Sequence, residues 1–100
     1  MPAPHALPSL SGAIADAARV VILTRAGCCL CDEAIAVARD ICAERSASLH
    51  LQDVDSDPAL RAAWNDHVPV TFVDGARLAI WALDPHQLRR ALDRPPTSMS

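Results

Sequence analysis

A β-branched run, Val20-Val21-Ile22-Leu23-Thr24, stops at Arg25-Ala26-Gly27, and the next four positions hold three cysteines, Cys28, Cys29 and Cys31. A short apolar run bounded by turn residues reads as a buried central strand, here over residues 19–24. From about Leu30 the period changes. Cys31, Ile35, Ala38 and Cys42 recur at helical spacing with Val37 and Ile41 beside them, so the spacing predicts a helix with one apolar face. Asp32 and Glu33 fall in its first turn, where the positive end of the helix dipole favours acids, and Glu44 and Arg45 close it in solvent. Residues 48–54 alternate in part and read as a second strand, with His50 toward solvent. A β-α-β unit is complete by residue 54, and the cysteines sit where its first strand turns into its helix.

The rest of the chain carries equally local signals. Asp57 caps a helix that Pro58 opens, with Leu60, Ala63, Trp64 and His67 at helical spacing. Val68-Pro69 interrupts it, because the residue before proline avoids the α region. Residues 70–73, an Asp74-Gly75 turn and residues 77–81 read as a hairpin. Asp84 then caps a last helix opened by Pro85, with Gln87 reaching back to the cap and Leu83 stapled to Leu88. It runs to about Asp93, before Pro95-Pro96. Trp64 and Trp81 are expected in the core, and His67 at a helix end in water. The order β-α-β-α-β-β-α gives an α/β fold, a four-stranded mixed sheet flanked by helices. It occupies residues 19–93, between a Pro-rich tail at 1–18, with room for a short helix after Ser11, and a tail at 94–100.

Composition narrows the functional classes. Apolar residues make up 51% of 100, charged residues 21%, and the net charge is −3, the balance of one soluble globular domain. The mild acidity leaves no basic stripe for nucleic acid, and no apolar run approaches the ~20 residues that span a membrane. All 9 basic residues are Arg, Lys is absent, and Ala is abundant, which reads as the codon bias of a GC-rich bacterial genome. The first residues lack the charged and apolar regions of a secretory signal. Four cysteines in that setting argue for a cytoplasmic protein without a disulfide framework. A monomer is expected.

The cysteines are therefore chemical or packing residues. In the C-x-x-C from Cys28 to Cys31, the first thiol stands at a helix N-terminus, where unpaired N–H groups and the dipole stabilise a thiolate. The second lies about one turn further in, placed to attack a mixed disulfide and release the product. Half a zinc site shows the same spacing, but the second pair of ligands that zinc needs is missing. An iron–sulfur or metal carrier, or a binding module without turnover, remains the alternative to a dithiol enzyme. Cys29 is an accessory thiol, a cluster ligand or a small loop residue. Cys42 belongs to the apolar helix face and reads as a core residue.

On these residues the chain resembles the glutaredoxin branch of the thioredoxin superfamily, and most of all the small bacterial glutaredoxin-like proteins. The resemblance covers residues 20–93 and rests on V-V-I-L-T-R running into A-G-C-x-x-C, the β-α-β order, Val68-Pro69-Val70 after the second helix, and the Asp-Gly hairpin. It implies a thioredoxin-like fold and a thiol–disulfide oxidoreductase active in electron transport, with Cys28 as nucleophile and Cys31 as resolving thiol. Pro69 would be a cis-proline facing them, presenting the Val68 backbone to an extended substrate. Arg25 would touch a substrate carboxylate or support the thiolate. No bound cofactor or metal is implied. Glutathione or another low-molecular-weight thiol, or a reductase, would supply electrons, and the partner would be a protein disulfide or such a thiol. Trp81-Ala82-Leu83-Asp84 stands where glutathione-gripping relatives carry Gly-Gly.

Overall fold

The computed structural model describes Ile14 and residues 17–94. Most of the expected N-terminal tail, including nearly all of the helix expected after Ser11, lies outside the described residues, as does the C-terminal tail from Pro95. Four strands, β1 (Val20–Thr24), β2 (Leu49–Asp53), β3 (Val70–Val73) and β4 (Ala76–Ile80), form one mixed sheet in the order β2-β1-β3-β4. Three helices, α1 (Cys29–Arg45), α2 (Pro58–Trp64) and α3 (Pro85–Asp93), complete it, with a 3-10 turn at Val54–Ser56. β1 pairs parallel with β2 and antiparallel with β3, and β3 pairs antiparallel with β4.

Central β1 is apolar on both faces because both faces are covered. Val20 and Ile22 pack with Ala34, Ala38, Ile41 and Cys42 of α1 and with Leu88 of α3. Val21 and Leu23 face the other way, onto Leu60 and Trp64 of α2 and onto Phe72. Period-2 alternation thus distributes one strand between two cores. Trp64 meets Phe72 edge-on at 5.5 Å. Leu88 is fully buried, so truncating it to alanine costs about 2–5 kcal/mol.

Local signals place the element ends. Asp57 and Asp84 each accept the N–H two residues on, from Ala59 and His86, and each precedes a proline at the first helical position. Asp74 and Gly75 both take positive φ, 51° and 84°, as the tight hairpin turn requires. β3 and β4 are out of step at Thr71/Phe72, where a bulge shifts the register.

Several expectations need correction. The buried face of α1 is Cys31, Ala34, Ala38, Ile41 and Cys42, and Ile35 is only half-buried. Glu44 and Arg45 are exposed as expected, and there Glu44 also pairs with Arg89 and Arg45 with Asp93, clipping α1 to α3. Val54 leaves the strand for the 3-10 turn, because its side chain goes into the core. His50 is half-buried, with its Nε2 2.9 Å from Gln52 Oε1. Trp81 is neither in β4 nor in the core. It follows the strand at φ 68° and is 53% exposed. No helix among the described residues is long and apolar enough to cross a membrane.

Candidate functional site

The site lies at the end of the sheet where β1 finishes. Thr24 leads into Arg25-Ala26-Gly27, and Gly27 takes φ 77°, a value that favours glycine. That turn delivers Cys28 as the N-cap of α1, with extended φ and ψ of −96° and 113°. A cysteine sulfur occupies the place of the usual capping oxygen, and Cys31 donates its N–H to Cys28 Sγ at 3.3 Å. The helix therefore begins on the thiol.

The two thiols titrate in opposite directions. The Cys31 thiol, the strongest influence, and the N–H groups of Cys31 and Leu30 all donate toward Cys28 Sγ and draw its pKa down, against partial burial and the nearby Asp32 carboxylate. Cys31 is 1% exposed; burial, then its bond to Cys28, pushes it up to about 11. The helix start favours the charged form of the first thiol, and burial favours the neutral form of the second. Cys29, the first residue of α1, is exposed, while Cys42 is buried near the other end, where burial raises its pKa. All four cysteines are unbridged. Among the described residues no group of three or more His, Cys, Asp or Glu side chains is gathered as a metal site. Cys28, Cys29 and Cys31 thus crowd together in sequence without converging on one point.

Pro69 stands just before β3, level with the end of β1. Leu23 pairs with Val70, which sets the preceding Pro69 beside the end of β1, and the Val68-Pro69 bond is cis. Pro69 is buried, and its carbonyl accepts the Trp81 N–H at 2.7 Å. The Val68 N–H and C=O take no hydrogen-bond partner among the described residues.

Arg25 stands in the loop between β1 and Cys28 and is held by two neighbours. Its guanidinium holds Asp55 through two bonds of 3.0 Å and donates to Asn65 Oδ1 at 2.6 Å. Asp55 in turn is held below the usual carboxylate range by that bond. Neither Asp55 nor Asn65 stood out in the sequence. Register contains the missing signal: β1 and β2 run parallel with Thr24 opposite Asp53, so whatever follows Asp53 lies beside Arg25. An open groove beside them is lined by Arg25, Asp55, Arg61, Asn65 and Asp66 among others, and by no cysteine.

His67 is not a helix-end residue in water. Its ring meets Trp64 edge-on at 6.0 Å and stacks on Trp81 at 6.5 Å, and its Nδ1 is buried without a partner.

Comparison with known proteins agrees with this fold. The family model "Glutaredoxin-like domain (DUF836)" matches residues 19–93. An uncharacterized protein of Mycobacterium tuberculosis is 33% identical over 81 residues, 76% of this chain and 84% of that protein. A structural-genomics protein from X. campestris matches with a TM-score of 0.62 at 29% identity, covering 77% of this chain and 99% of that one. The holo form of glutaredoxin C1 from Populus tremula x tremuloides matches with a TM-score of 0.54 over 79% of this chain and 87% of that one. At 19% identity that likeness is one of fold.

Proposed function

The chain belongs to the Glutaredoxin-like domain (DUF836) family, and from that premise we propose that it is a thiol–disulfide oxidoreductase working through Cys28 and Cys31. The observation that carries the reading is the geometry of the pair: Cys28 caps α1 and accepts the Cys31 N–H at 3.3 Å, and Cys31 is buried behind it. A single reactive cysteine would not need such a partner.

The Cys28 thiolate attacks one sulfur of a substrate disulfide. A Cys28–substrate disulfide forms and one substrate thiolate leaves with the electron pair of the broken bond. The same step ends the influence of the Cys28 thiolate on Cys31, because a sulfur in a disulfide no longer binds the Cys31 proton or repels a second anion. Two of the causes that hold the Cys31 pKa high are thereby withdrawn. Cys31 gives up its proton to the departing thiolate and attacks Cys28 Sγ. The second substrate thiolate is expelled, and a Cys28–Cys31 disulfide remains. Two electrons have passed to the substrate, and an external thiol or a reductase returns them. Val68, with its backbone polar groups unpaired beside Pro69, would hold an extended substrate, and Arg25 with Asp55 would shape the neighbouring rim. Such a dithiol suits the cytoplasm, where thiols are kept reduced.

Separate replacement of the two cysteines tests the reading. Cys31→Ser is expected to trap a mixed disulfide on Cys28, visible as an adduct by intact mass, and Cys28→Ser to form none. Wild-type turnover by Cys28→Ser would move the chemistry to Cys29 and overturn the assignment.

A further inference from the structure

Charge is unevenly distributed along the strands. Strand directions place Asp32, Glu33, Asp53, Asp55, Asp57 and Asp66 toward the cysteine end, against Arg25 and Arg61, and Arg25 is already paired with Asp55. Arg19, Arg45, Arg77, Arg89, Arg90 and Arg94 lie toward the opposite end, where Asp74, Asp93 and Glu44 pair with Arg19, Arg45 and Arg89, so that end is mildly basic. The acidic end also carries the exposed aromatic ring of Trp81. Although 53% exposed, Trp81 is held from three sides. Its N–H donates to Pro69 O at 2.7 Å, its Nε1 donates to Asp66 O at 3.2 Å, and its ring stacks on His67 with 4° between the planes. Its φ of 68° is one that a bulky residue keeps only where the surroundings hold it. Leu30, the other large exposed hydrophobic residue among those described, lies in the first turn of α1 between Cys29 and Cys31. A fixed ring with a free face, set beside the proline wall and within an acidic rim, is suited to stacking a cation.

We propose that the disulfide partner is a basic polypeptide, with an arginine or lysine next to its cysteine lying on the free face of Trp81. The inference rests on the dithiol reading above and adds the partner's class. The acidic end draws the partner in and orients it, since charge complementarity acts mainly on encounter and selection. A partner with carboxylates at those positions meets aspartates instead.

Three peptides of equal length, each disulfide-linked to one neutral thiol and differing only in Arg, Ser or Glu beside the cysteine, test this through the rate of thiol release by the reduced protein. The expected order is Arg, Ser, Glu, with roughly tenfold between the extremes at low salt and convergence when the charges are screened. Trp81→Ala is expected to narrow the Arg-to-Ser ratio by roughly threefold, and Trp81→Phe to restore most of it. A second readout needs no chemistry. In protein carrying both Cys28→Ser and Cys31→Ser, cysteine-free versions of the peptides should shift the Trp81 indole N–H resonance, the Arg peptide most, while the buried Trp64 resonance stays put.

Equal rates for the three peptides, or an Arg peptide that leaves the Trp81 resonance unmoved, overturns the inference and leaves the dithiol reading standing. Absence of exchange with every peptide overturns the dithiol reading, and the indole shift alone then decides whether the surface takes basic chains. A Trp81 shift that grows with protein concentration and no peptide assigns the surface to the arginine end of a second copy, and likewise overturns it.

Discussion

Strand β1 ends in an arginine–aspartate pair on each side, and the two pairs do different work. At its start Arg19 grips Asp74 through two bonds of 3.0 and 2.9 Å and also donates to the carbonyls of Leu92 and Arg94. Those partners belong to the hairpin turn and the end of α3, so one guanidinium joins three parts of the fold, and both members of the pair are mostly covered. At the other end Arg25 grips Asp55 and Asn65 with comparable geometry, but the pair is more exposed and joins the loop before Cys28 to the 3-10 turn and the end of α2. Similar bonds stabilise in proportion to what they tie down and how dry they are. The first end is a clasp of the fold, and the second lies beside the loop that leads to Cys28. On that contrast, stability and reactivity should respond to different residues.

The largest separation is expected for Cys28→Ser, which should abolish disulfide exchange while leaving the unfolding midpoint nearly unchanged, as exchange kinetics and urea titration would show. Exchange that survives would erase the contrast. Arg19→Ala should do the reverse. Loss of the pair and of two carbonyl bonds should cost about 1–3 kcal/mol in denaturant unfolding, with the alkylation rate of Cys28 unaltered.

A pH scan sharpens the comparison inside the site. Cys31 has a higher pKa folded than unfolded, so its contribution to the stability of the reduced protein is complete below the ordinary thiol value and is lost as pH rises toward about 11. The reduced protein should lose stability through that alkaline window, and Cys31→Ala should remove this component. Cys28, with its lowered pKa, should alkylate at a rate that levels off below the ordinary thiol range. The smallest effect is expected for Arg25→Ala, which removes an exposed pair: the loss of stability should fall below that of Arg19→Ala and shrink as salt is added.

Local signals made much of this molecule readable from the sequence. Asp57-Pro58, Asp74-Gly75 and Asp84-Pro85 each fix backbone geometry within a few residues, and each structure follows them. The two thiols were legible for the same reason, since a helix start is a local electrostatic environment. What escaped depends on contacts between distant segments. Asp55 and Asn65 become partners of Arg25 only once β1 and β2 are in register and α2 has folded back. Trp81 continues an apolar run, so alternation assigned it to the strand and the core. Its outward place is set by bonds to Pro69 and Asp66 and by the His67 ring, none of which a pattern along one strand can register.

The most direct test of the Cys28–Cys31 pair is a peptide map of the protein after reaction with one equivalent of a small disulfide. The expected product has lost two hydrogens and carries a single Cys28–Cys31 bond, with Cys29 and Cys42 still free to be alkylated. A bond through Cys29, or four thiols left unoxidised, would contradict it.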